Sequence, residues 1–229
     1  MKLTRLTELL NRFAGLRVAV VGDLFLDQWY HIDPALDEPS VETALTAWQV
    51  VRHRAAAGAA GTVINNLCTL GVGKVYAVGF TGEDGDGWML THLLQKQGVD
   101  TAHVITVPER MTPSYMKPMF MEEGRLREGN RLDVKNRETT PAWIEERIIA
   151  SLNALAGEVD AIIALDQLTL ADTGAVSARV REALAALGQK HEKLTIYADS
   201  REFIGLFRHV IIKCNNLEAA RALGETLPI

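Results

Sequence analysis

The sequence predicts an α/β fold: a mostly parallel sheet flanked by helices, with a small projecting β-sheet. Three observations lead there. Short apolar runs of strand composition alternate with segments of helical period along most of the 229 residues, as βα units do. Polar residues recur where strand runs end, at Asp23, Asp166, Asp199 and Lys213; in open α/β sheets the carboxyl ends of strands face the ligand. Aromatic, proline-punctuated β-like segments interrupt the alternation, as strands inserted outside the main sheet would.

Taken in order, Leu3, Leu6, Leu10 and Phe13 interleave with basic residues as a short amphipathic helix, without the continuous apolar run of a signal peptide. Residues 16–22 form a buried strand leading to Asp23 and Asp27. An Asp after Gly22 suits a turn cap. Asp27 has the better claim on a ligand, because a carboxylate accepts two hydroxyl hydrogen bonds. Segments 28–32 and 44–51 are β-like, with Pro34 and Pro39 between them, and supply a lid or a dimer surface. A Gly/Ala block from residue 54 opens a helix with apolar positions at Val63, Leu67 and Leu70, stopped by Gly71. Small residues at a helix start leave its N–H groups open to a polar ligand, or simply allow close helix–sheet packing.

A strand at 75–79 precedes Gly82-Glu-Asp-Gly-Asp-Gly87. Trp88 at the fifth loop position and the missing terminal Glu exclude a calcium loop. Asp84 instead caps a helix that buries Trp88, Leu90, Leu93 and Leu94 and ends at Gly98. Strands follow at 102–107 and 112–121, the second returning to the projecting sheet, so the lid strands come from about 28–53 and 112–133. The run Arg125, Arg127, Arg131, Lys135 and Arg137, against Glu128 and Asp133, has the composition of a solvated face. Then come a helix at 141–156 with Thr140 as N-cap and Pro141 first, a strand at 159–165, a helix at 171–187, strands at 194–198 and 209–212, and a helix at 215–223.

A net charge of −5 and a pI near 5.7 argue against general binding to nucleic acid or a membrane surface. Cys68 and Cys214 form no framework and fit reduced thiols in a cytoplasmic protein. No segment approaches the roughly 20 apolar residues of a membrane span. No Gly-x-Gly-x-x-Gly follows the first strand and no Walker lysine motif occurs. Neither a Ser/His/Asp elbow nor a Cys/His metal spacing is present.

Several motifs then fall in one order. They are Val20-Val-Gly-Asp-Leu-Phe-Leu-Asp27, Gly58-Ala-Ala-Gly-Thr-Val-Ile-Asn-Asn-Leu67, Gly79-Phe-Thr-Gly-Glu-Asp-Gly-Asp-Gly-Trp-Met-Leu90 running on to Gly98-Val-Asp100, Thr112 to Lys117, Arg131-Leu-Asp133 and Asn215-Asn-Leu-Glu218. With them the chain resembles the N-terminal two-thirds of the ribokinase-like (PfkB-type) carbohydrate kinases, and within these the heptose-7-phosphate kinase branch. The resemblance implies a ribokinase-like α/β domain with a β-sheet lid, and ATP-dependent phosphoryl transfer to a sugar or sugar phosphate. It implies sugar contacts from Asp27, Gly58, Ala59 and Thr62, and Lys117 and Arg131 facing an anionic group. Asn215 and Glu218 would help place phosphate and Mg²⁺, Glu218 through water. Asp166 and Lys213, with Asp199 and Arg201, are added from strand-end position. A homodimer joined through the lid sheet is the family-level expectation.

Departures from the family pattern are Ala59 for a Gly, Thr62 for an Asn and Cys214 for a Pro, and the first two bear on which sugar is bound. The family's Gly-Ala-Gly-Asp segment, with its anion hole and catalytic base, does not occur. The expectation is a truncated chain whose catalytic residue lies beyond Ile229. The alternative is a sugar-binding or regulatory protein that keeps the scaffold without the chemistry.

Overall fold

The computed structural model describes residues 3–225. Helix α1 (Leu3–Phe13) leads into β1 (Arg17–Gly22) and, after the single residue Asp23, into β2 (Leu24–Ile32). Two short strands, β3 (Glu38–Pro39) and β4 (Thr46–Ala47), pair with each other before β5 (Val50–Ala59), which runs without a loop into α2 (Ala60–Thr69). Next come β6 (Lys74–Gly82), α3 (Gly85–Lys96), β7 (Asp100–Val107), β8 (Ser114–Glu122), β9 (Arg125–Glu128) and β10 (Leu132–Val134). The chain then builds α4 (Ala142–Leu155), β11 (Ala161–Asp166), α5 (Ala178–Lys190), β12 (Thr195–Ser200), β13 (Ile211–Lys213) and α6 (Asn216–Leu223).

The main sheet is parallel throughout, in the order β13-β12-β11-β1-β6-β7. Strand β1 is buried from Val18 to Gly22, because helices cover both faces and successive side chains alternate between them. Val18 and Val20 point into a core with Ala60 and Ile64 of α2 and Leu90 and Leu94 of α3. Ala19 and Val21 point into the opposite core with Ile144, Ile148 and Leu152 of α4 and Val180 and Leu184 of α5. The second sheet runs β10-β8-β2-β5, with β9 also on β8. It is mixed: β2 is antiparallel to β5 and parallel to β8.

Several elements differ from the sequence expectation. The Gly/Ala block is strand up to Ala59, not helix, because its small residues pair residue for residue with β2, from Leu24↔Ala59 to Trp29↔Arg54. A Cβ at Gly58 would meet the Asp27 carboxylate, so a larger residue there would push that side chain out of its place. Ala59 turns the chain into α2 at φ +51°, ψ −117°, a conformation that favours glycine. Trp88 is exposed, while Leu90 and Leu94 are buried as expected. Thr140 does not cap α4; its hydroxyl donates to the Gly174 carbonyl at 2.8 Å, and Pro141 takes the cap position. Helix α5 begins at Ala178 under a Ser177 cap, not near 171, because the preceding segment wraps around Asp23. Gly71 closes α2 at φ +81°, as expected.

Candidate active site

Strand order reverses beside β1: β6 and β7 lie on one side, β11 to β13 on the other. That switch point, at the carboxyl ends of the strands, is where open α/β sheets bind ligands. A cavity of about 490 Å³ opens there, between the second sheet and the segment after β11. Its sheet wall carries Phe25, Asp27, Tyr115 and Lys117, closed by Ala59, Arg131 and Lys135; the opposite wall is Gln167, Leu168, Thr169 and Arg201.

Strand pairing assembles the sheet wall. Asp27 lies opposite Tyr115, and Trp29 opposite Lys117, so alternate residues of both strands share the face over the cavity. Lys117 Nζ donates to Asp27 Oδ1 at 2.9 Å and sits 4.5 Å from the Trp29 ring centre. Arg131 stacks on Tyr115 at 4.0 Å and Lys135 approaches the same ring at 5.1 Å. Asp133 accepts from Arg131 at 2.5 and 2.8 Å and pairs with Lys135 at 3.1 Å. The hydrogen bond from Arg131 holds the Asp133 carboxyl below the ordinary range, against its partial burial. Four cations thus line a cavity with one carboxylate, Asp27, which favours an anionic ligand that also offers hydroxyls.

Asp23 builds the opposite wall. Its carboxylate accepts N–H bonds from Gln167 (2.8 Å), Leu168 (3.2 Å) and Ala175 (2.8 Å). Burial pushes the carboxyl up, opposed by those three donors. Its own carbonyl accepts from Ala60 N at 3.0 Å, tying the start of α2 to the same point. Gln167, so placed, accepts from Arg201 Nε at 3.3 Å.

Asp27, Ala59, Lys117, Arg131 and Arg201 therefore meet at one cavity, with Gly58 beneath Asp27. Thr62 is exposed on α2 and does not line the cavity. Asp166 is buried behind the wall, accepting from Ser200 Oγ at 2.9 Å with Arg181 at 3.6 Å. Lys213 pairs with Asp199 at 2.9 Å on the sheet's edge. Asn215 and Glu218 form a reciprocal capping box at the start of α6: Asn215 Oδ1 accepts from Glu218 N, and Glu218 Oε2 from Asn215 N, both at 2.8 Å. That local role is enough to account for an Asn-x-x-Glu spacing. Tyr115, Lys135 and the 167–169 wall are not among the residues that the sequence singles out for the site. Alternation along residues 112–121 from Lys117 would have found Tyr115; the reach of Asp23 leaves no local signal.

Burial pushes the Asp166 carboxyl up to about 7, helped by the nearby Asp23 charge and opposed by Ser200 and Arg181. A carboxyl raised from 3.8 binds its proton more tightly in the fold than unfolded. Its contribution to stability is therefore complete below about pH 4 and lost as pH rises towards 7. The chain is expected to lose on the order of 3 kcal/mol at this group between pH 4.5 and 8, and Asp166→Asn to remove that slope. Urea unfolding at the two pH values checks it; parallel profiles for the two proteins would rule it out.

No protein-family model matches the chain. It is 32% identical over 172 residues to the bifunctional protein HldE of Trichlorobacter lovleyi, covering 75% of this chain and 34% of that protein. It is 29% identical over 223 residues to HldE of a Caulobacter species, covering 96% and 43%. The chain thus spans between a third and a half of the length of these relatives. Among solved structures, Escherichia coli phosphofructokinase-2 in complex with fructose-6-phosphate matches at a TM-score of 0.62 and 15% identity, over 93% of this chain and 66% of that one. Arabidopsis thaliana ribokinase complexed with ribose and ATP matches at 0.56 and 17%, over 91% and 63%. The chain is a homologue of the HldE proteins over most of its length and has the fold of the ribokinase-like (PfkB-type) carbohydrate kinases.

Proposed function

We propose that the chain supplies the acceptor-binding part of an ATP-dependent sugar or sugar-phosphate kinase, within a single ribokinase-like domain whose second sheet is the lid. The observation that carries this is the pairing of Asp27 with Lys117 inside a cavity whose other charged lining residues are all cations, in a homologue of HldE. Asp27 accepts the sugar hydroxyls, and Arg131, Lys117, Lys135 and Arg201 face the anionic group. Phosphoryl transfer depends on positioning and charge neutralisation, not on a covalent intermediate. Lys213, Asn215 and Glu218 face the nucleotide side.

Glu218 is half-buried and its Oε2 accepts from Asn215 N, leaving Oε1 available. Among the described residues no group of three or more His, Cys, Asp or Glu side chains is placed to hold a metal. This donor set fits Mg²⁺ held through water and ATP phosphates, as that ion prefers, and Mg²⁺ there would neutralise phosphate charge. Apolar side chains exposed on the second sheet and its β3–β5 extension, Trp48, Val50, Val51, Met121 and Leu126, support a homodimer through that sheet. No helix among the described residues is long and apolar enough to cross a membrane; a cytoplasmic location is part of the proposal.

Calorimetric titration with matched sugars tests it, fructose 6-phosphate against fructose and heptose 7-phosphate against the free heptose. At least one phosphorylated member is expected to bind about tenfold or more tighter than its neutral counterpart, the margin narrowing as salt rises. Equal affinity within both pairs, or binding to none, would overturn the reading.

A further inference from the structure

The acidic run Glu83-Asp-Gly-Asp86 holds no ligand in the reading above, yet both of its aspartates are engaged. Asp84 Oδ1 accepts from Gly87 N at 2.7 Å, as the cap of α3, and from Thr112 Oγ1 at 2.7 Å, while Oδ2 accepts from Thr112 N at 2.8 Å. Burial pushes the Asp84 carboxyl up, but the bonds from Thr112 and Gly87 outweigh it and hold the group below the ordinary range. Thr112 lies two residues before β8, the strand of Tyr115 and Lys117.

Asp86 reaches the other site strand. Gln28 follows Asp27 on β2, so its side chain leaves the opposite face of the strand, and it is buried. Gln28 Nε2 donates to both Asp86 oxygens at 3.1 Å. Its Oε1 accepts from Tyr30 Oη at 2.8 Å and lies 3.1 Å from His53 Nε2. Tyr30 and His53 are paired across β2 and β5 and stack at 4.6 Å. One helical turn of the main body thus holds the strand of Asp27 and the strand of Lys117 independently.

We propose that the first turn of α3 is a two-point mooring for the second sheet, Asp84 fixing the entry to β8 and Asp86 fixing Gln28 on β2. Gln28 and Asp86 are then positioning residues: they set the placement at which Lys117 meets Asp27. The inference rests on the kinase reading only for what Asp27 and Lys117 bind; their mutual geometry is read without any sugar.

Competitive acetylation with acetic anhydride, read by mass spectrometry, measures how well Lys117 is paired, with exposed Lys190 on α5 as reference. Asp27→Ala sets the unpaired rate. Asp86→Ala, which leaves the buried Gln28 amide without its acceptor, is expected to speed Lys117 labelling roughly fivefold, the scale of one lost hydrogen bond. Gln28→Glu, which sets two carboxylates face to face, should do at least as much. The pair Gln28→Glu with Asp86→Asn exchanges amide and carboxylate, and should return Lys117 to the wild-type rate. Merely structural damage would not be repaired by that exchange. Wild-type labelling in folded Asp86→Ala, or a double variant as fast as Asp86→Ala, would overturn the mooring. Should Gln28→Glu alone fail to fold, the other two variants decide it.

Discussion

Replacing Asp27 by Ala is expected to cost about 100-fold in affinity for the sugar ligand, near 3 kcal/mol, with ATP affinity changed by less than about twofold. Asp27 is the one carboxylate among the residues lining the cavity, so no neighbour can take over its hydroxyl bonds. Its loss also leaves the Lys117 ammonium, only 16% exposed, without an anion. Charged-group hydrogen bonds that exclude water are the strong ones. Lys213 and Asn215 lie at β13, at the far edge of the sheet with β12 and β11 between them and β1, which is why nucleotide affinity should not follow. Titrations of the variant with sugar phosphate and with ATP decide it. Equal losses for both ligands would remove Asp27 from the acceptor site.

The largest effect on stability is expected at Asp23. Truncation to Ala strands three amide donors, those of Gln167, Leu168 and Ala175, and a buried donor without an acceptor costs about 1–3 kcal/mol. The three share one wall and do not add fully, so about 4 kcal/mol is expected, read as a lower urea midpoint. Asp23→Asn keeps one acceptor oxygen and should lose about half as much. A loss below about 1 kcal/mol in Asp23→Ala would mean that the 167–175 segment holds its shape without the carboxylate.

The parallel sheet was legible because its strands are short apolar runs set between helices with readable stops, such as Gly71 and the Asp84 cap. Asp27 was legible because it sits just past the first such run. What misled was composition standing in for pairing. Residues 55–59 look like a helix start because Ala and Gly dominate, yet they form a strand whose smallness lets Asp27 and its neighbours pack across it. Trp88 looked like core by type, and its helix buries a different stripe. The basic run at 125–137 looked solvated; Arg131 and Lys135 enter the cavity because Tyr115 offers its ring and Asp133 holds both cations. The wall at 167–169 was illegible, since the residue that shapes it stands 144 positions earlier. Asn215 and Glu218 show the reverse case, a spacing that is easy to read and serves at least a helix cap.

That long separation also orders events on the ribosome. Strands β1, β6 and β7 and the entire second sheet precede residue 140, whereas the other edge of β1 pairs with Ala161 to Leu165. Until those residues leave the exit tunnel, the nascent chain carries half a sheet whose β1 side is open as well as β7, and the Asp23 carboxylate has none of its three donors. At about 5–20 residues per second the wait lasts seconds, long compared with the microseconds in which a hairpin forms. The partly made protein therefore passes through an interval in which its central strand is exposed to any passing β-edge, and the step that ends this interval is also the one that closes the binding cavity.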